Sequence, residues 1–225
     1  WRSGENPPAD GADEDASGAD DDFNGARLIE TDRDGLISDD DGHGTNLAGI
    51  IFASPGNRIG IASPIGPYWP NIRMMPIKFF DADSRPSPDN AAQAILYAVK
   101  NGARIVNASW HVGPGQEGLT VVTEAIAEAQ AKGVLVVAAA GNDGSDNVEY
   151  PTYPANLSLA FDNVLAVHAT DREDDRTSFS NFGKMSVHLG APGVDIMTTA
   201  RYREDVNFAY QPVRGTSASA AFVSA

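Results

Sequence analysis

The sequence predicts an α/β domain built on a mainly parallel sheet with helices on both faces. Apolar runs of strand length alternate with amphipathic stretches of helix length through the middle of the chain, which is the pattern of right-handed crossovers. One run, Gly133-Val134-Leu135-Val136-Val137-Ala138-Ala139-Ala140-Gly141-Asn142, carries no polar side chain before its Gly-Asn end, as a parallel strand buried on both faces requires. The 225 residues are 42% hydrophobic and 21% charged, a composition that suits one domain with a large core.

Residues 1–22 are acidic and polar, with Glu5, Asp10, Asp13, Glu14, Asp15, Asp20, Asp21 and Asp22 against Arg2, and read as a solvated loop. Within it, Asp13-x-Asp15-x-Ser17-Gly18 repeats the opening of a calcium loop, with Asn24 where the bidentate Glu is usual. A second partial match runs through Glu30, Asp32, Asp34, Gly35, Ile37 and Asp41. A structural calcium is therefore an open expectation, and the metal ligands are unknown.

Asp39-Asp40-Asp41-Gly42-His43-Gly44-Thr45 leads into an apolar run, which predicts a helix over 45–54, ended by Pro55-Gly56, with an imidazole at its mouth. A turn over 58–63 and a loop over 64–70 holding Tyr68 and Trp69 follow. A strand is expected over 72–80 and an amphipathic helix over 89–101, closed by Gly102. A strand over 103–109, a loop to Gly118 and a helix over 119–132 come next. After Asn142 there is a polar loop over 143–147, then a strand over 161–169, a loop over 172–183, the stretch Ala191-Pro192-Gly193 and a loop to Arg214.

Arg214-Gly215-Thr216-Ser217 and the small run Ala218-Ser219-Ala220-Ala221 read as a serine presented at the mouth of a buried helix. Gly215 permits a tight turn, and Thr216 and Ser217 are residue types that open helices. Free N–H groups and the positive dipole end favour a developing negative charge there, which suits a nucleophile attacking a carbonyl. Taken alone, the motif is a helix cap.

Taken together and in order, GHGT, AAGN and GTS resemble the subtilisin-like serine peptidases (peptidase S8), with SFSNFG over 178–183 and the APG stretch continuing the match. The resemblance implies a subtilisin-like three-layer fold and a serine endopeptidase acting through an acyl-enzyme. In it His43 is the general base, Ser217 the nucleophile and Asn142 an oxyanion donor. Asn107-Ala108-Ser109-Trp110 resembles the family's substrate-pairing strand end, so Ser109, Trp110 and His111 are expected to meet the substrate backbone and Ala139, Ala140 and Gly141 to wall the specificity pocket. His111 and Val112 stand where the family has two glycines that leave room for the substrate. His111 otherwise reads as a surface imidazole, and His168 and His188 as strand packing.

The resemblance has departures. The family places its catalytic aspartate at the end of an apolar strand ahead of the acidic insertion, and no such strand precedes Glu5. Asp40 and Asp41 lie too close to His43 in sequence to reach behind its ring and read as surface charge. Asn46 replaces a second histidine, Ala221 a proline and Phe222 a histidine, and the chain stops at Ala225. Residues 1–225 are accordingly expected to be a single, incomplete peptidase domain truncated at both ends, with 1–41 as the acidic region before His43.

A net charge of -15 argues against nucleic acid, whose phosphates need clustered Lys and Arg. No apolar run is long enough for a membrane span, and the absence of cysteine excludes disulfides and thiol chemistry. Trp1 is not an initiator methionine, and no signal segment opens the chain. The resemblance implies a secreted or cell-surface protein acting on protein or peptide substrates, with no cofactor required for the chemistry, and a monomer is expected. Two alternatives remain: a binding module inactive for want of the aspartate, and a calcium-binding structural domain.

Overall fold

The computed structural model describes residues 26–28, 39–80, 87–113, 118–201 and 209–225. The acidic residues of 1–22, Asn24, Glu30, Asp32, Asp34, Gly35 and Ile37 lie outside them, and with them both calcium-loop matches except Asp41. Strand β1 (Ala26–Arg27) pairs in parallel with β2 (Ile77–Lys78). Only these two residues of the strand expected over 72–80 join a ladder. Phe79 and Phe80 turn into the core instead, where Phe79 meets Trp110 edge to face at 5.8 Å between centroids.

Helix α1 (His43–Phe52) begins two residues earlier than expected. Its start is set from outside: Asp39 Oδ1 accepts the Gly42 N–H at 2.8 Å and Oδ2 the Thr45 N–H at 2.6 Å. Gly42 itself adopts φ +98°, a left-handed conformation that glycine tolerates. Helix α2 (Pro88–Lys100) starts where Ser87 accepts the Asn90 N–H and Pro88 supplies the fixed φ of a first turn. Helix α3 (Leu119–Ala131) follows strand β3 (Ile105–Ala108), and strand β4 (Leu135–Ala139) follows α3.

Strands β3, β4, β5 (Val164–Thr170) and β6 (Leu189–Pro192) form one parallel sheet in that order. The alternation along β4 shows why every residue of it is apolar. Val136 and Ala138 enter a core with Ile95 of α2 and Val122, Ala125 and Ile126 of α3, whereas Val137 and Ala139 enter a second core with Val167 and Ala220. Ala220 belongs to helix α4 (Thr216–Ser224), on the opposite face. The expected α/β architecture, with helices on both faces of a parallel sheet, is the one observed. No helix among the described residues is long and apolar enough to cross a membrane.

The stretch expected as a loop before Arg214 contains an antiparallel ladder, β7 (Ile196–Thr199) with β8 (Tyr210–Val213). It carries α1: the Thr198 hydroxyl donates to Asn46 O at 2.6 Å and the Thr199 hydroxyl to Thr45 O at 2.7 Å. Leu47, Ile50 and Ile51 of α1 then pack with Ala218, Ala221 and Phe222 of α4. The helix that bears His43 is thereby fixed against the helix that bears Ser217.

Candidate active site

Ser217 is the second residue of α4, after the Gly215 cap at φ +136°. Its N–H has no acceptor among the described residues, as expected for the first turn of a helix. Its hydroxyl lies 3.4 Å from Ser109 O, and the Ser109 hydroxyl donates back to Ser217 O at 2.9 Å. Asn107 Nδ2 in turn donates to Ser109 Oγ at 2.9 Å, and the Ser224 hydroxyl donates to Asn107 Oδ1 at 3.0 Å. The carboxyl end of β3 is thus laced along α4 from its first turn to its last.

Asn142 follows β4 and is held by its oxygen. Oδ1 accepts the Thr216 N–H at 2.9 Å and the Thr216 hydroxyl at 3.1 Å. Because that end of the amide is taken, the donor end, Nδ2, is the one left free, and no acceptor meets it among the described residues. Gly141 N–H also reaches Thr216 Oγ1, at 3.2 Å, from a backbone at φ +110°. Thr216, which sequence reasoning treated only as a helix opener, therefore orients the carboxamide.

His43 is the first residue of α1 and half buried. Burial pushes its imidazole below the ordinary range, partly countered by the charges of Asp41 and Asp39. The ring makes no hydrogen bond among the described residues, to Ser217 and Asn142 included, and what joins it to them is the packing of α1 on α4. Asp39 was missed in the sequence: its side-chain type is that of a helix-start signal, but it stands three residues ahead of the Gly42 cap, where no such signal is sought. Burial raises the Asp39 carboxyl, but the Thr45 hydroxyl and N–H, the Gly42 N–H and the Arg201 guanidinium outweigh it and hold the group below the usual carboxylate range. Asp40 pairs with Lys78, and Arg201 donates to the Asp40 carbonyl.

Ala140 and Gly141 are buried beside this group, with Ala140 N–H bonded to Val167 O. The Trp110 side chain does not face a cleft: it is 8% exposed and packs in the core, so any contact it makes with substrate is through its backbone. Val112 is likewise a core residue, 2% exposed, whose backbone exchanges two hydrogen bonds with Tyr153. The expected intrusion by both residues at the two glycine positions is thus reduced to His111, which is exposed. His188 serves the sheet, its Nδ1 accepting the Ala166 N–H at 3.0 Å, and the His168 ring lies over Gly190 of the neighbouring strand. Among the described residues no group of three or more His, Cys, Asp or Glu side chains could hold a metal.

The profile of the subtilase family, peptidase S8, matches residues 11–225. The chain is 37% identical over 163 residues to alkaline elastase YaB of Bacillus sp. (strain YaB), a stretch that covers 72% of this chain and 39% of that protein. It is 35% identical over 161 residues to subtilisin BL of Lederbergia lenta, covering 72% of this chain and 54% of the relative. Among solved structures it is similar to the prenylagaramide maturation protease PagA, at 33% identity and a TM-score of 0.67 over 81% of this chain and 61% of that one. A cold-adapted subtilisin-like serine proteinase aligns at 25% identity and a TM-score of 0.69, over 89% and 65%. The chain spans between 39% and 54% of the length of the two curated relatives. With a parallel sheet flanked by helices, a serine at the head of α4 and a family match that runs from residue 11 to residue 225, the chain belongs to the subtilase family.

Proposed function

We propose that this domain is the core of a serine-type endopeptidase. The Ser217 oxygen attacks the scissile carbonyl while His43 takes the hydroxyl proton. The resulting oxyanion is held by Asn142 Nδ2 and the Ser217 N–H, and His43 returns the proton to the leaving amine. Water, deprotonated by the same imidazole, then cleaves the acyl-enzyme and restores the serine. The observation that carries this reading is the clamp on Asn142 Oδ1 by Thr216, which commits the amide to act as a donor beside the free N–H of Ser217. Protein or peptide substrates would run along the backbone of Ser109 and Trp110, with Ala140 and Gly141 opposite. An extracellular monomer that needs no cofactor for the chemistry fits this role.

A second reading is a binding module that keeps the cleft without turnover, and one observation favours it. Among the described residues no carboxylate braces His43: both oxygens of Asp39 are occupied by the N–H groups of Gly42 and Thr45. In subtilisin itself, loss of the triad aspartate alone lowers turnover by about 3 × 10⁴, a figure measured on that enzyme. A fluorophosphonate probe separates the two readings. Labelling of the full-length protein that disappears in Ser217→Ala supports the peptidase, and an intact folded protein that takes no label refutes it.

A further inference from the structure

The residues on either side of Asn142 are both held by one residue, 39 positions away and without a part in the chemistry proposed above: Asp143 by its side chain and Gly141 by its backbone N–H. Asn181 is 1% exposed. Its Oδ1 accepts the Asp143 N–H at 2.8 Å and the Ser145 N–H at 3.1 Å. Its Nδ2 donates to Asn147 Oδ1 at 3.0 Å and approaches Thr152 Oγ1 at 3.3 Å. Its own backbone N–H donates to Gly141 O at 3.0 Å. The full hydrogen-bonding capacity of the amide is used, and it all converges on the loop that leaves β4.

The fit is close as well as polar. A Cβ on Gly141 would stand 2.4 Å from Asn181 Nδ2, so the loop can lie against Asn181 only because residue 141 has no side chain. Asn147 extends the lattice, with Nδ2 donating to Ala140 O at 2.9 Å. Asn142 is by contrast exposed, and its side chain is anchored only through Oδ1 on Thr216. Its direction therefore depends on where the backbone on both sides of it is pinned.

We propose that Asn181 is a positioning residue of the oxyanion hole, its amide bonding residues 143 and 145 and packing against Gly141 so that Asn142 Nδ2 points at the developing negative charge. The inference rests on Asn142 being the oxyanion donor. It makes Asn181 act through Asn142 and not on substrate, so its removal lowers kcat and leaves KM nearly unchanged. Loss of such a donor in subtilisin costs about 10²–10³ in kcat, a figure taken over from that enzyme. Mispositioning it is expected to cost about tenfold or more.

The test is a kinetic double-mutant cycle on the full-length protein with a chromogenic peptide substrate. Asn181→Ala is expected to reduce kcat about tenfold or more with KM within about twofold of wild type. In an Asn142→Ala background the same substitution is expected to change kcat by less than about threefold. A loss of equal size in both backgrounds overturns the proposal, because a general loosening of the fold does not depend on the Asn142 amide. An Asn142→Ala variant with wild-type kcat removes the oxyanion assignment itself, and this inference with it. Where Asn181→Ala yields no folded protein by circular dichroism, Asn181→Ser goes through the same cycle and is read in the same way, its small polar side chain leaving room for water on the two N–H groups.

Discussion

Replacing Gly49 with alanine sets two physical effects of opposite sign against each other. In an exposed helix the change stabilises by about 1 kcal/mol, because alanine loses less backbone entropy on folding. In α1 an added Cβ would stand 2.2 Å from Thr199 Oγ1, 2.5 Å from Thr198 Oγ1 and 2.8 Å from the Thr199 backbone nitrogen. None of these atoms is the end of a flexible side chain, and Thr198 is fully buried, so the helix must lift off β7. Overpacking of this kind costs about 1–3 kcal/mol. The lift also stretches the hydroxyl bonds to Asn46 O and Thr45 O, at about 0.5–1.5 kcal/mol each. The sum favours destabilisation by about 1–5 kcal/mol, equivalent to a fall in Tm of roughly 2–4 °C per kcal/mol for a domain of this size. Differential scanning calorimetry of wild type and Gly49→Ala reads the sign directly. Fluorophosphonate labelling of Ser217 should slow as well, since α1 carries His43 onto α4. A Tm equal to or above that of wild type would refute the close packing of α1 on β7.

Three further outcomes follow from the same geometry. His43 is held low by burial and raised by Asp41 and Asp39. In the proposed reaction His43 must be neutral to take the serine proton, so the labelling rate should climb with pH on a limb below about 6.5. Asp41→Asn should move that limb lower still, by a small amount that high salt erases, and an upward move would contradict the assignment. The Asp39 carboxyl is lowered in the folded state, so its stabilising effect is complete above about pH 4 and is lost as pH falls through the folded value. The gap in urea stability between wild type and Asp39→Asn, about 1 kcal/mol at pH 7 for one lost acceptor, should close in acid, whereas a gap independent of pH would mean the charge is idle. Finally, a Cβ at Gly190 would lie 2.5 Å from His168 Cε1 and 2.7 Å from Thr170 Cγ2. Gly190→Ala should therefore destabilise by about 1–3 kcal/mol and be partly rescued by His168→Ala in a thermal-melt cycle, the Thr170 contact remaining, and additive effects would place the ring elsewhere.

The parts of this protein that were legible in the sequence are those whose physical cause is local. Strand β4 announces itself because both of its faces are buried, and α2 and α3 because one face of each is. Ser217, His43 and Asn142 stand in short glycine-bearing motifs, since each needs a backbone turn beside it. What organises those three residues is written at long range. Asn142 is set by Thr216 across 74 positions, Ser217 by Ser109 across 108, and α1 by Thr198 and Thr199 across 152 and 154. No periodicity spans such distances, which is why 196–213 reads as a loop although it contains the ladder that supports α1, and why Asn181 reads as one polar residue among several in SFSNFG. The same reasoning explains Val112. At a position where glycine was expected for clearance, its branched side chain suggests obstruction, yet the bridge to Tyr153 turns it into the core. The direction of a side chain at a strand end is decided by its partner strand and not by its neighbours in sequence.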